Sequence, residues 1–156
     1  MGKLLLECLD RHIRVGAVAK AVYKVTGQKA NLKAEIVFDS ESDMRMLNSV
    51  ERGIDKATDV LSFPSMDNIK GEVLLPENCQ TEMDGRYIFI GSIVLCDERI
   101  KIQAKEFGHT TARERNYLII HGLLHLLGYD HIDPADKREM RDKEKEVLAI
   151  LGVDEE

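Results

Sequence analysis

Apolar residues recur along this chain with two periods, and the switches between them mark out most of its elements. Val18, Ala21, Val22 and Val25 follow the i, i+3, i+4, i+7 spacing of an amphipathic helix, which Gly27 ends. Ala34 to Phe38 reads as a strand. A helix from about Ser42 to Arg52 carries Met44, Leu47 and Asn48, and Val60 to Phe63 reads as a second short strand before Pro64. The region from Asn68 to Gly85 has the weakest pattern: Glu72 to Leu75 reads as a strand and the rest as loop. Tyr87 to Cys96 carries the clearest strand signal, rich in aromatic and β-branched residues and bent at Gly91.

Helices account for the remainder. One is expected from about Asp97 to Glu106. Thr111 and Glu114 have the spacing of a capping box opening a long helix that Gly128 closes. Asp133 is placed to cap a last helix with Pro134 at its first position, and Met140, Val147, Leu148 and Leu151 give that helix its buried face. There are no repeats, low-complexity stretches or linkers. The order of elements predicts an α+β fold, a small mixed sheet packed with helices, with the long helix before Gly128 at its centre.

Length and composition narrow this further. A chain of 156 residues with 44% hydrophobic content predicts a single domain over 1–156 with a real core. No apolar run approaches a membrane span, and Leu4-Leu5-Leu6 is broken by Glu7, Asp10 and Arg11, so no signal peptide is expected. Leu6 also stands where a myristoylation signal would need Ser or Thr. Cys8, Cys79 and Cys96 lack any zinc-finger or CxxC spacing and read as free thiols, consistent with a cytoplasmic protein. The net charge of −6 argues mildly against a nucleic-acid partner. The clusters Lys20, Lys24, Lys29, Lys33 and Lys101, Lys105, Arg113, Arg115 read mostly as solvated faces.

The chemistry concentrates in His121-Gly-Leu-Leu-His125-Leu-Leu-Gly-Tyr-Asp-His131. His121 and His125 are four apart, so a helix puts both imidazoles on one face, one turn from each other. Gly128 can turn the chain and bring His131 back to the same point. Three imidazoles would hold one cation and leave a fourth position open, as catalytic zinc sites do. Zinc is the default, with nickel, copper and iron also compatible with such ligands. Three neutral ligands leave the charge of zinc uncompensated, which lowers the pKa of bound water from 15.7 to about 7 and makes hydrolysis the natural reaction class. The spacing matches the metzincin pattern H-E-x-x-H-x-x-G-x-x-H except that Gly122 replaces the glutamate general base, which demotes a protease.

A second segment, Arg52-Gly-Ile-Asp-Lys-Ala-Thr-Asp59-Val-Leu-Ser-Phe-Pro64, joins a helix end to a strand. An arginine beside an activated water would suit a phosphodiester, because its planar fork binds phosphate oxygens bidentately. Thr58 and Asp59 fit equally well as turn residues.

Together the two segments resemble the YbeY family, bacterial endoribonucleases specific for single strands that act in ribosomal RNA maturation. The chain carries that family's H-G-x-x-H-x-x-G-Y-D-H signature intact at residues 121–131. Its second block matches at Thr58 to Pro64, with Asn48, Arg52 and Gly53 in register upstream. The resemblance implies one zinc ion on His121, His125 and His131, and makes Arg52, with His121, expected to matter for catalysis. It implies single-stranded RNA and the small ribosomal subunit as partners, in 3′-end maturation and ribosome quality control. The chain departs from the family at Glu51 and Ala57, where Tyr and Pro are common, and at Ser92, where Asp is usual; Glu51 could compete with phosphate for Arg52. Neither Glu, Asp nor His109 stands out as a general acid.

Two other classes fit parts of the pattern. A small metallopeptidase fits the metzincin-like spacing and the acidic charge. A noncatalytic assembly factor would need a closed metal shell, with a fourth protein ligand such as Cys96.

Overall fold

The computed structural model describes residues 2–67 and 69–152, so Met1, Asn68 and the last four residues of the expected 1–156 domain lie outside the described residues. The chain opens with strand β1 (Leu4–Cys8), helix α1 (Gly16–Val25) and strand β2 (Leu32–Phe38). This is a crossover unit: β1 and β2 run parallel, as strands joined by a helix can. β1 occupies the Leu4–Leu6 run, which the sequence suggested only as a failed signal segment. Its alternation is plain once paired, with Leu4 and Leu6 buried against the helices and Leu5 less so.

Helix α2 (Glu41–Arg52) follows, capped by the Ser40 hydroxyl and ended by Gly53 at φ 70°. Strand β3 (Val60–Pro64) comes next, then two single turns of 3-10 helix at Pro76–Asn78 and Gln80–Glu82. A two-residue strand β4 (Met83–Asp84) pairs antiparallel with the start of β5 (Tyr87–Leu95). The sheet order is β1-β2-β5-β3, with β5 parallel to β2 and antiparallel to the edge strand β3. Pro64 ends that edge strand, where a missing N–H is tolerated. Helices α3 (Asp97–Phe107), α4 (Thr111–Leu126) and α5 (Pro134–Leu151) complete the chain. The expected α+β architecture is the one found.

Strand alternation sends side chains to two unequal cores. Leu32, Ala34 and Ile36 of β2 and Ile88, Ile90, Ile93 and Leu95 of β5 face α1 and α4, in one large cluster that α5 closes with Met140, Val147 and Leu148. On the other face Leu61, Val94 and Cys96 meet Met44 of α2 in a small second cluster.

Two expectations are corrected. Glu72 to Leu75 is not a strand. It belongs to a strap crossing the end of α4: Gly71 donates to Leu127 O, and the buried Gln28 side chain donates to Glu72 O and accepts from Leu74 N. One side chain thus takes the place of a ladder, and Leu74 looks strand-like because it is buried beneath the strap. The cap of α4 is Thr110 rather than Thr111, accepting from Arg113 N, while Glu114 is buried instead of reaching back to close a capping box.

Where α4 meets the sheet, glycines set the separation. Gly91 has φ 137°, opposite an irregularity in the β2–β5 register, and a Cβ there would lie 2.3 Å from Phe63 O and 2.8 Å from Leu126 Cδ2. Gly91→Ala therefore combines a backbone conformation open essentially to glycine with a collision against backbone. It should cost about 3 kcal/mol or more in denaturant unfolding.

Candidate metal centre

Helix α4 carries His121 and His125 on one face, as their spacing requires. Its partner face is so apolar that Leu123, Leu124 and Leu126 are fully buried. The last turn closes through Gly128 N–H to His125 O and Tyr129 N–H to Leu124 O. Gly128 then takes φ 94° against the strap, where a Cβ would sit 2.3 Å from Lys70 N. Tyr129 tucks beside Gly71, and the Asp130 carboxylate accepts from His131 N at 2.6 Å. The tight turn brings the His131 ring to 4.9 Å from that of His125 and 5.6 Å from that of His121, centre to centre.

The three histidines offer ring nitrogens that all lie within 4.8 Å of one another, and His121 Nε2 and His125 Nε2 face each other at 3.2 Å. Burial, reinforced by the charge His121 and His131 would carry, pushes His125 down to about 4. At neutral pH it is an uncharged imidazole with a lone pair to give. Among the described residues the group is these three histidines, and their donor set fits one borderline-soft cation.

Behind His121 stands a residue that sequence reasoning missed. Glu144 of α5 is 3% exposed, with Oε2 2.7 Å from His121 Nδ1. Its other oxygen accepts from Tyr117 Oη and Arg141 Nη1, each at 3.2 Å. Burial alone would raise this carboxyl, but its bond to and attraction for His121, together with Arg141 and Tyr117, outweigh it and hold the group below its ordinary value. Burial and the Glu144 charge push the Tyr117 phenol up to about 12, so it stays a donor. A carboxylate at Nδ1 holds the proton there and turns the Nε2 lone pair toward the other histidines. The signal was present: Glu144 lies four after Met140 and four before Leu148, an acid in the apolar stripe of α5.

Arg52, exposed at the end of α2, donates from Nη2 to Ser62 O at 3.2 Å, on the edge strand that α4 packs against. Asn48 holds the intervening loop by donating to Lys56 O at 3.0 Å, and Thr58 Oγ1 donates to Asp59 Oδ1 at 3.3 Å. Glu51 and Ala57 lie outside the core. Ser92 follows β5 alternation onto the face opposite Ile93, which contacts Gly122, so it points away from the histidine helix. Cys96 is fully buried in the α2 cluster on that opposite face, which removes it as a closing ligand. His109 sits half-buried with Nδ1 3.8 Å from Glu114 Oε1. A Cβ at Gly122 would meet Ile93 Cδ1 at 2.9 Å and Ser62 Oγ at 3.2 Å, so the metzincin glutamate has no room here.

The chain is similar to known proteins over most of its length. The family described as endoribonuclease YbeY matches residues 10–152. A Clostridium botulinum (strain Kyoto) protein named endoribonuclease YbeY is 43% identical over 138 residues, 84% of this chain and 83% of its own length. A Clostridium perfringens protein of the same name is 40% identical over 144 residues, 89% of this chain and 86% of its own. Among solved structures, the solution structure of TM1509 from Thermotoga maritima is similar, with TM-score 0.58 and 25% identity, covering 96% of this chain and 89% of that one.

The site predicts how metal-free protein responds to acid. His125 is depressed in the fold, so below about pH 6.5 the unfolded chain takes up its proton first. Stability should fall from there to about pH 4. Glu144, also depressed, adds a loss that continues as pH drops through its own folded value. Urea unfolding of chelator-treated protein between pH 7.5 and 4 measures both, and His125→Gln should remove the first part of the slope.

Proposed function

The chain belongs to the YbeY family of endoribonucleases, and we propose from that membership and the site geometry that it hydrolyses single-stranded RNA with one zinc ion held by His121, His125 and His131. The observation that carries the reading is the convergence of three imidazoles with a buried carboxylate fixing the first. Zinc suits a tetrahedral, all-imidazole site with an open position. When bound, the ion supplies a Lewis acid that makes water a usable nucleophile at neutral pH.

The chain's own residues do the rest. Glu144 orients His121 and takes up part of the positive charge there. His125, uncharged at neutral pH, would hold the ion without first losing a proton. Arg52 approaches from the β3 edge, where its planar fork can bind two phosphate oxygens and offset the charge that grows as the phosphodiester is attacked. The physiological substrate in this reading is the 3′ region of small-subunit ribosomal RNA, met on the small subunit in the cytoplasm, with the whole 156-residue chain acting as one domain. Among the described residues no helix is long and apolar enough to cross a membrane.

Purified, zinc-loaded protein should cut a labelled single-stranded RNA spanning the ribosomal 3′ tail. Arg52→Ala should lower kcat by about 10²–10³-fold without changing the melting temperature, and His121→Ala should abolish cutting. Equal cutting by all three proteins would mark a contaminating ribonuclease, and no cutting by stoichiometrically loaded wild type would contradict the reading. Separately, Glu144→Gln should weaken metal binding about 10–100-fold in competition with a chromogenic chelator.

A further inference from the structure

A cavity of about 1280 Å³ opens between α1, α4 and α5, and His121 and His131 form part of its wall. Its charge is opposite to that of the molecule. The whole chain has 22 basic against 28 acidic residues. The cavity wall carries six basic side chains: Arg14 ahead of α1, Arg113 of α4, and Lys137, Arg138, Arg141 and Lys145 of α5. Of the three acids there, Asp142 is exposed and Glu114 and Glu144 are buried; Glu144 is engaged with His121, Tyr117 and Arg141, so the Arg141 charge is offset within that pair. Helix α1 starts at the same wall with no side-chain cap and no acid in its first turn, which adds amide N–H groups and the positive end of its dipole to the basic rim.

The floor is different in kind. Val18, Ile120, Met140 and Leu148 make it apolar, and Phe107, 60% exposed, stands at the wall with the His109 ring 6.1 Å from its own, centre to centre. A small-molecule site occupies about 300–1,000 Å³, so the space suits a length of polymer. A cationic rim over an apolar, aromatic-flanked floor matches one polymer closely. Single-stranded RNA presents phosphates at its edge and unstacked bases that seek aromatic and apolar surfaces. A duplex would offer only backbone and leave the floor unused.

We propose that this cavity is the binding track for the single-stranded RNA segment flanking the scissile bond, with Lys137 and Arg138 on its phosphates and Phe107 under a base. The inference rests on the proposed ribonuclease function and adds to it the substrate's path and a structural reason for strand selectivity. The track meets the metal centre at His121 and His131, so RNA lying in it arrives at the site from the α5 side, while Arg52 lies beyond on the β3 side.

The test uses metal-loaded protein and a fluorescent single-stranded 12-mer oligoribonucleotide, read by anisotropy for binding and by single-turnover cleavage for the rate. Lys137→Glu with Arg138→Glu should raise the half-saturating concentration at least ten-fold. Loss of two phosphate contacts should also make the dependence of log affinity on log salt shallower by about 1.4. Phe107→Ala should weaken binding about five-fold or more, with little change in that slope. Lys101→Glu with Lys105→Glu, the same charge change on α3 outside the cavity, serves as the control, and melting curves and metal content establish that each variant is folded and loaded. If wild type binds and cuts but the α5 reversal behaves like the α3 control, the track is wrong and the cavity belongs to a protein partner. If wild type binds RNA with the α5 dependence but never cuts, the proposed function fails, and with it the scissile bond in the track, while the α5 wall stands only as an RNA-binding surface.

Discussion

Everything at the metal centre depends on how closely helix α4 can lie on the β3–β5 pair. Two glycines set that separation from opposite sides. Gly91 of the sheet gives room to Leu126 of the helix, and Gly122 of the helix gives room to Ile93 and Ser62 of the sheet. Each removes the methyl group that would hold the surfaces apart, and the apolar side chains of α4 then fill the interface at interior density. With the helix axis fixed in this way, the flank of α4 beside Gly122 has one allowed direction, and His121 and His125 lie along it. A third glycine, Gly128, turns the chain tightly enough under the strap for His131 to return to the same point. The same packing explains why this chain shares a protease-like histidine spacing without the protease glutamate: the position after His121 is committed to the sheet.

Around that scaffold, charge is distributed against the molecule's own average. A protein carrying −6 overall gathers six basic side chains on the wall of the cavity that includes two of the histidines. Repulsion of RNA from most of the surface, combined with attraction at one groove, favours approach at the site over indiscriminate coating of phosphates. Glu144 is the acid that this arrangement needs. It is buried and multiply hydrogen-bonded, acting on the metal centre through His121 and away from the groove's solvent edge.

Much of this was legible from residues alone, for identifiable reasons. Helix α2, strand β5, helix α5 with its Asp133 cap and the three-histidine cluster all rest on local signals, namely periodicity, capping and i, i+4 spacing, that tertiary packing reinforced. The failures are non-local. Strand β1 has alternation too short to stand out until β2 lies beside it, and the strap at Glu72–Leu75 looks like a strand because Gln28, far away in sequence, supplies its hydrogen bonds. Glu144 stands in the apolar stripe of α5, but its partner His121 lies on another helix and is met only when the two pack. The groove was invisible for a related reason. Of its cations only Arg113 belonged to a basic cluster in the sequence, and the rest converge from α5 and the start of α1 only when the helices pack.

The central claim is an open, three-histidine metal site, and X-ray absorption at the metal edge of the purified protein tests it most directly. The account predicts zinc with three imidazole nitrogens and one further light atom from solvent, all at about 2.0–2.1 Å. A sulfur neighbour at about 2.3 Å, a shell closed by a fourth protein ligand, or protein that takes up no metal at all would contradict it.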